Sequence, residues 1–173
     1  MKACAYVVGP GEGAGAALLD LARELGFQTV LPYQSIAAAE AQSQQTPLLL
    51  FLFAAVHDVR VLKGVADQIR FAPTRRIRFS PLLYFSESPS RGAISRCIEM
   101  GFDDVITLPF TRRRLLPRLT RLVDRMQVYH ETSAYLGPER PVNRGTGQFR
   151  RLEIIRNPCA RTSVLRDEMR VGL

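Results

Sequence analysis

SPLLYFSESPSRGAISRCIEMGFDDVITLPF, residues 80–110, reads as strand, loop, helix, strand and turn. Pro81–Phe85 is a short continuous apolar run, as a strand covered on both faces should be. Ser86–Arg91 follows as a loop with helix-start chemistry, Pro89 and Ser90 suiting a first turn or a cap. Ile94, Cys97 and Ile98 share one helical face, and Gly101 supplies the stop. Val105–Leu108 is a second strand, closed by Leu108-Pro109-Phe110. Strand, crossover helix and parallel strand together make one right-handed unit.

The same alternation extends upstream. Cys4–Val8 predicts a first strand, and Ala14–Leu25 a helix with Leu18, Leu21, Ala22 and Leu25 at helical spacing, ended by Gly26. Phe27–Leu31 is a second strand. Ser35 caps an alanine-rich helix reaching Gln42, and Gln42–Thr46 is a loop. Leu48–Phe53, the most apolar strand, belongs at the centre of the sheet. Val59–Phe71 is a helix whose stripe is Val59, Leu62, Ala66 and Ile69, and Phe71–Ser80 is an unusually long basic connection. Downstream, Thr111 opens a helix with Leu115, Leu116, Leu119, Leu122, Val123, Met126 and Tyr129 on one side. Pro117 predicts a late start or a kink there. Five strands alternating with five helices predict an α/β fold built on a doubly wound parallel sheet.

Gly101-Phe102-Asp103-Asp104-Val105-Ile106-Thr107-Leu108-Pro109-Phe110 resembles the G-A-D-D-Y-x-x-K-P-F signature of response-regulator receiver (CheY-like) domains. The resemblance covers Lys2–Met126. It implies a flavodoxin-like five-stranded sheet of order 2-1-3-4-5, with residues 1–126 as a receiver-like domain and 127–173 as an irregular, arginine-rich extension. The family places an acidic pair after the first strand, a phosphoacceptor Asp at the end of the third, a hydroxyl ending the fourth and a Lys ending the fifth. The carboxylates there hold Mg²⁺, which neutralises the incoming phosphoryl charge. On this chain the acidic pair falls at Gly9 and Pro10, the phosphoacceptor at Phe53, the hydroxyl at Ser86, the lysine at Leu108 and the aromatic switch at Val105. Only Ser86 conforms. The resemblance therefore implies a degenerate receiver, a pseudo-receiver, whose pocket is filled with apolar side chains and takes neither phosphate, metal nor cofactor. It is expected not to be an enzyme and to act in bacterial two-component (phosphorelay) signalling through protein–protein contacts. The family's usual output surface places Arg91, Arg96, Arg112, Arg113 and Arg118 as the candidate contacts.

Other groups near the same rim carry titratable or nucleophilic chemistry. Asp58 lies five residues past Phe53, in a loop, so its carboxylate is not expected to share the pocket, and His57 beside it has no nucleophile to serve. Ser86 without a base suits helix capping better than nucleophilic attack. Asp103 and Asp104 suit turn hydrogen bonding. GPGEGAG (Gly9–Gly15) follows a strand and precedes a helix, but lacks the Lys-Ser/Thr of a phosphate loop and does not fit G-x-G-x-x-G. A flexible turn is the first reading, with anion binding at the helix start as the other.

With 173 residues, 46% hydrophobic and 23% charged, the chain suits one soluble domain plus an appendage. Its longest apolar run, Leu48–Val56, is far short of the ~18 residues that span a bilayer. Gly9, Pro10 and Gly11 interrupt the N-terminus before a secretory core forms, so a cytoplasmic location and no membrane partner are expected. Cys4, Cys97 and Cys159 suggest reduced, buried thiols rather than disulfides or zinc. The net charge of +8 lies wholly after residue 110, where every basic residue is arginine. The end is too poor in periodic apolar residues for its own core, though Phe149, Leu152, Ile154 and Ile155 suffice for one strand packed on a partner or on the domain. Arginine over lysine favours an acidic protein partner or self-association as a homodimer, since guanidinium suits bidentate pairing with carboxylate. The alternative is a nucleic-acid-binding regulator using the fifth helix and the tail, without any recognisable reading module. A solvated surface with no dedicated ligand is the third.

Overall fold

The structure, a computed structural model, describes residues 2–46, 48–87, 90–123, 125–140, 149–156 and 162–170. Pro89 and Cys159 of the sequence reading lie outside these residues.

Five strands, β1 (Cys4–Val8), β2 (Thr29–Pro32), β3 (Leu49–Phe53), β4 (Leu82–Ser86) and β5 (Asp104–Thr107), form a parallel sheet of order β2-β1-β3-β4-β5. This is the flavodoxin-like receiver order. Every residue of β1, β3 and β4 is buried, as the continuous apolar runs require of strands covered on both faces. Alternate residues feed two layers. Cys4, Tyr6, Val8, Phe51 and Phe53 face one, built on α2 (Ile36–Gln45), α3 (Lys63–Arg70), α4 (Arg75–Arg78) and α5 (Arg91–Glu99). Ala5, Val7, Leu50 and Leu52 face the other, built on α1 (Ala14–Glu24) and α6 (Arg112–Val123).

The local chemistry mostly follows the sequence. Ser35 caps α2, its Oγ accepting from Ala38 N at 3.2 Å, and Ser90 caps α5 the same way from Ala93 N at 3.1 Å. Ser86, expected as a cap, is instead the last residue of β4. The basic connection after α3 is not a bare loop: Ile77 anchors α4 in the core, and Arg76 Nη1 donates to Ser43 O at 2.8 Å. Pro117 neither delays nor ends α6, which starts at Arg112 and runs through it.

The expectation that Met126 and Tyr129 continue the fifth apolar helix is corrected. Helix α6 ends at Val123, and Met126–Glu131 is strand β6. An i, i+3 spacing fits a helix, but the stretch is rich in residues that suit a pleated surface; Tyr129 is buried while Met126 is 54% exposed. Strand β6 pairs with β7 (Leu136–Pro138) and β8 (Phe149–Arg156), and β8 with β9 (Thr162–Arg170), giving an antiparallel sheet of order β7-β6-β8-β9. The extension expected to be irregular therefore carries regular structure. The strand foreseen around Phe149 is β8, and Tyr129, Leu136, Leu152 and Ile154 pack with Phe79 of the first sheet's layer.

The two sheets meet at the amino ends of β4 and β5, around a buried ion pair. Arg70 Nη2 lies 2.6 Å from Asp103 Oδ2, both side chains 1% exposed. Arg70 also donates to the carbonyls of Gly101 (3.0 Å from Nε, 2.6 Å from Nη2), Arg78 (2.9 Å) and Ser80 (2.9 Å). Asp103 accepts from Leu82 N at 2.8 Å and from the Tyr129 phenol. Arg78 pairs with Glu131 of β6. Backbone fit matches this polar one: Gly101, at φ 80°, has no space for a Cβ, which would sit 2.2 Å from Leu136 O, and one on Gly137 would sit 2.7 Å from Gly101 Cα.

Candidate functional site

Register brings the carboxyl ends of the central strands level. Val8 pairs with Phe53, Phe53 with Tyr84, and Ser86 with Thr107. In an open parallel sheet this edge is where ligands bind.

Phe53 is fully buried, edge-to-face on Phe102 with ring centroids 4.7 Å apart at 69°. Gly9 lies so close that a Cβ on it would be 2.7 Å from Ala54 Cβ, and Pro10 O would be 1.8 Å from a Cβ on Gly15. The Gly9–Gly15 turn is thus folded down on Ala54 and on its own helix start. No carboxylate stands at Gly9, Pro10 or Phe53, so the residues there do not fit a hard cation that takes oxygen ligands. Among the described residues, no group of three or more His, Cys, Asp or Glu side chains is placed to hold a metal.

Beside Phe53 opens a cleft of about 700 Å³, between the loop after β3 and the start of α5. Ser86 and Tyr84 line it, the Tyr84 hydroxyl donating to Val56 O at 3.4 Å. His57, Asp58, Glu87 and Arg96 form its walls. Asp58 lines this cleft, whose lining does not include Gly9, Pro10 or Phe53. It is committed locally, however: Arg60 donates to it from Nε (2.8 Å to Oδ2) and backbone N (3.0 Å to Oδ1). Those side-chain and backbone hydrogen bonds, helped by the charges of Arg60 and Arg96, hold its carboxyl at about 2. Burial raises the Tyr84 phenol above its usual value, so it stays protonated.

Val105 is half-buried in β5 opposite Tyr84. Leu108 does not join the cleft. It lies 44% exposed and lines an apolar groove of about 200 Å³ with Ala14, Leu18 and Leu21 of α1 and with Phe110. Gly9 therefore lies on Ala54 and Pro10 on Gly15, Phe53 turns into the core on Phe102, Ser86 lines the neighbouring cleft, and Leu108 looks toward α1.

The five candidate contact arginines divide three ways. Arg91, Arg112 and Arg113 are exposed and make no ion pair among the described residues. Arg96 lines the cleft instead of an outer face. Arg118 clasps Asp104 bidentately, Nε to Oδ2 at 2.9 Å and Nη2 to Oδ1 at 2.6 Å, and reaches Val105 O at 3.1 Å. Two functional-looking groups had no warning in the sequence: the buried Arg70, and a polar pocket beside Arg140.

No family model matches the chain, and no curated protein matches it. Solved structures do. A CheY-like protein (tadZ) from Pseudomonas aeruginosa PAO1 is 13% identical over 68% of this chain and 98% of that one, with a TM-score of 0.50. The receiver domain of a sensor histidine kinase from the same organism, with a magnesium ion in its active-site cleft, is 21% identical over 69% and 95% (TM-score 0.49). The pseudo-receiver domain of the CikA protein is 15% identical over 68% and 94% (TM-score 0.44). The likeness to the first is one of fold, and agrees with the receiver-like sheet order described above.

Proposed function

We propose that the chain is a response-regulator-like signalling module that works without phosphorylation, as a pseudo-receiver acting through protein–protein contacts rather than as an enzyme. In this reading residues 1–126 form the receiver-like unit and 127–173 its basic extension. One observation carries it: the side chain at the phosphoacceptor position, Phe53, is closed into the core against Phe102. A benzyl group cannot take a phosphoryl group, and Gly9 and Pro10 offer nothing to hold the metal that would neutralise one. A module with no switchable charge at this edge presents one constant surface.

That surface includes the exposed guanidinium groups of Arg91, Arg112 and Arg113, and an acidic protein face, either on a signalling partner or on a second copy, is its complement. Helix α6 also exposes Arg114 and Arg121, which keeps the field positive along it.

The test incubates the full chain with acetyl phosphate or beryllofluoride and Mg²⁺. Intact mass and tyrosine fluorescence should not change; a stoichiometric, hydroxylamine-labile phosphate would overturn the reading. Light scattering of the Arg112→Glu/Arg113→Glu variant then reports on self-association. Titration with duplex DNA at two salt concentrations tests the competing reading, since phosphate contacts impose a steep loss of affinity with salt. Tight, salt-sensitive DNA binding would replace the protein partner with nucleic acid.

A further inference from the structure

Between α1 and the loop that leads from β5 into α6 runs an apolar groove of about 200 Å³. Ala14, Ala17 and Leu21 present one stripe of α1 to it, and Leu108 and Phe110 form the facing wall. Phe110 is held there edge-to-face on Phe85, ring centroids 5.7 Å apart. Leu108 has no such cover and stands 44% exposed. It occupies the position where the receiver resemblance expects a lysine, yet it turns outward, so the silent pocket gives no reason for it. The groove's two banks differ in charge. Glu24 continues the α1 stripe one step beyond Leu21, and Glu12 precedes the helix; both are exposed and make no ion pair among the described residues. On the other bank Arg112 and Arg113 follow Phe110, equally exposed and equally without an ion pair.

A face with an apolar centre, an acidic bank and a basic bank is complementary to itself. Turned about a two-fold axis at the groove, a second copy lays its basic bank over the first copy's acidic one, and the symmetry repeats the contact in reverse. A uniformly acidic partner would match the arginines but meet Glu12 and Glu24 with like charge. We propose that this face is a two-fold interface between copies of the chain. Leu108 is its apolar anchor, and Arg112 and Arg113 face the other copy's Glu12 and Glu24 at the polar rim. A stable interface buries about 800 Å² on each partner, so the exposed faces of α1 and α6 join the groove in it. The inference rests on the reading of a module that acts through protein contacts, and it commits that reading to a second copy.

Sedimentation equilibrium of the full chain over a range of concentrations should show a reversible dimer. Leu108→Glu should weaken it more than about tenfold, as the loss of a central anchor does. Arg112→Glu/Arg113→Glu and Glu12→Lys/Glu24→Lys should each weaken it comparably, because each sets like charges opposite one another. Mixed one-to-one, these two charge-reversed chains should regain the natural affinity as a heterodimer, since every facing pair is again of opposite sign. Arg75→Glu, exposed on α4 in the other layer, should dimerise as the natural chain does. A chain that stays monomeric, a dimer indifferent to Leu108→Glu, or a mixture no tighter than its separate parts would overturn the interface. None of these results bears on phosphorylation silence, which fails only if the chain takes up phosphate.

Discussion

Replacing Asp103 by Ala removes the one carboxylate that faces the fully buried Arg70 guanidinium among the described residues, while three backbone carbonyls continue to accept from it. Leu82 N and the Tyr129 phenol lose their acceptor in the same step. Breaking a buried pair from one side costs about 3–5 kcal/mol, because the remaining charge stays out of water. For a chain of this length each kcal/mol lowers the melting midpoint by about 2–4 °C, so Asp103→Ala should melt roughly 6–20 °C below the natural chain. The double variant Arg70→Met/Asp103→Ala removes both charges and should be less destabilised than the two single losses added together, with a coupling of about 1–3 kcal/mol. Urea unfolding followed by far-ultraviolet circular dichroism and by tyrosine emission measures this, and the two probes should report one transition because the pair joins both sheets. A loss under about 1 kcal/mol in Asp103→Ala, or strict additivity in the double variant, would refute the assignment of this pair as the joint between the sheets.

Phe53→Ala should cost about 3–5 kcal/mol by urea unfolding, as for other buried aromatic truncations, and Phe53→Asp should cost more and still take no phosphate from acetyl phosphate. Gly101→Ala should be far worse than Gly26→Ala: both sit at φ 80°, but the second has open space around it and pays only the ~1–2 kcal/mol of left-handed backbone. Burial pushes the Cys97 thiol from 9.0 up to about 11, so its neutral form is favoured in the fold. The stability this represents is complete below pH 9 and is lost as the pH rises toward 11, because the unfolded chain releases its proton first. In a Cys159→Ser background, Cys4 and Cys97 should accordingly resist a disulfide reagent at pH 8 until denaturant is added; labelling of the native chain would contradict their burial.

How far the sequence carries depends on what the physics makes local. The runs LLLFLF and PLLYF could only be strands covered on both faces, and Gly101-Phe102-Asp103-Asp104 fixed the turn before β5, so the sheet order was legible. Helix α4 was hidden because four arginine-rich residues give no period; only the burial of Ile77 makes them a helix. Strand β6 was misread because Met126 and Tyr129, three residues apart, prolong the apolar stripe of α6 at helical spacing, whereas in the strand the same spacing puts them on opposite faces. At the candidate site, Phe53 and Gly9 were read from position alone, whereas the arrival of Asp58 and Arg96 at the same cleft depended on loop geometry that spacing does not encode. Arg70 was invisible in the sequence, since a basic residue in the last turn of a helix is ordinarily solvated. Its burial is a property of the three carbonyls that two other segments, residues 78–80 and Gly101, bring to it.

Tyr129 and Leu136 cover Phe79 and the Arg70–Asp103 pair from outside the parallel sheet. A chain cut after residue 126 would strip that roof and bring water closer to the ion pair and the aromatic ring beneath it. The first 126 residues are thus complete as a topology and incomplete as a solvent-proof body. Anyone shortening the protein to its recognisable part should expect poor solubility.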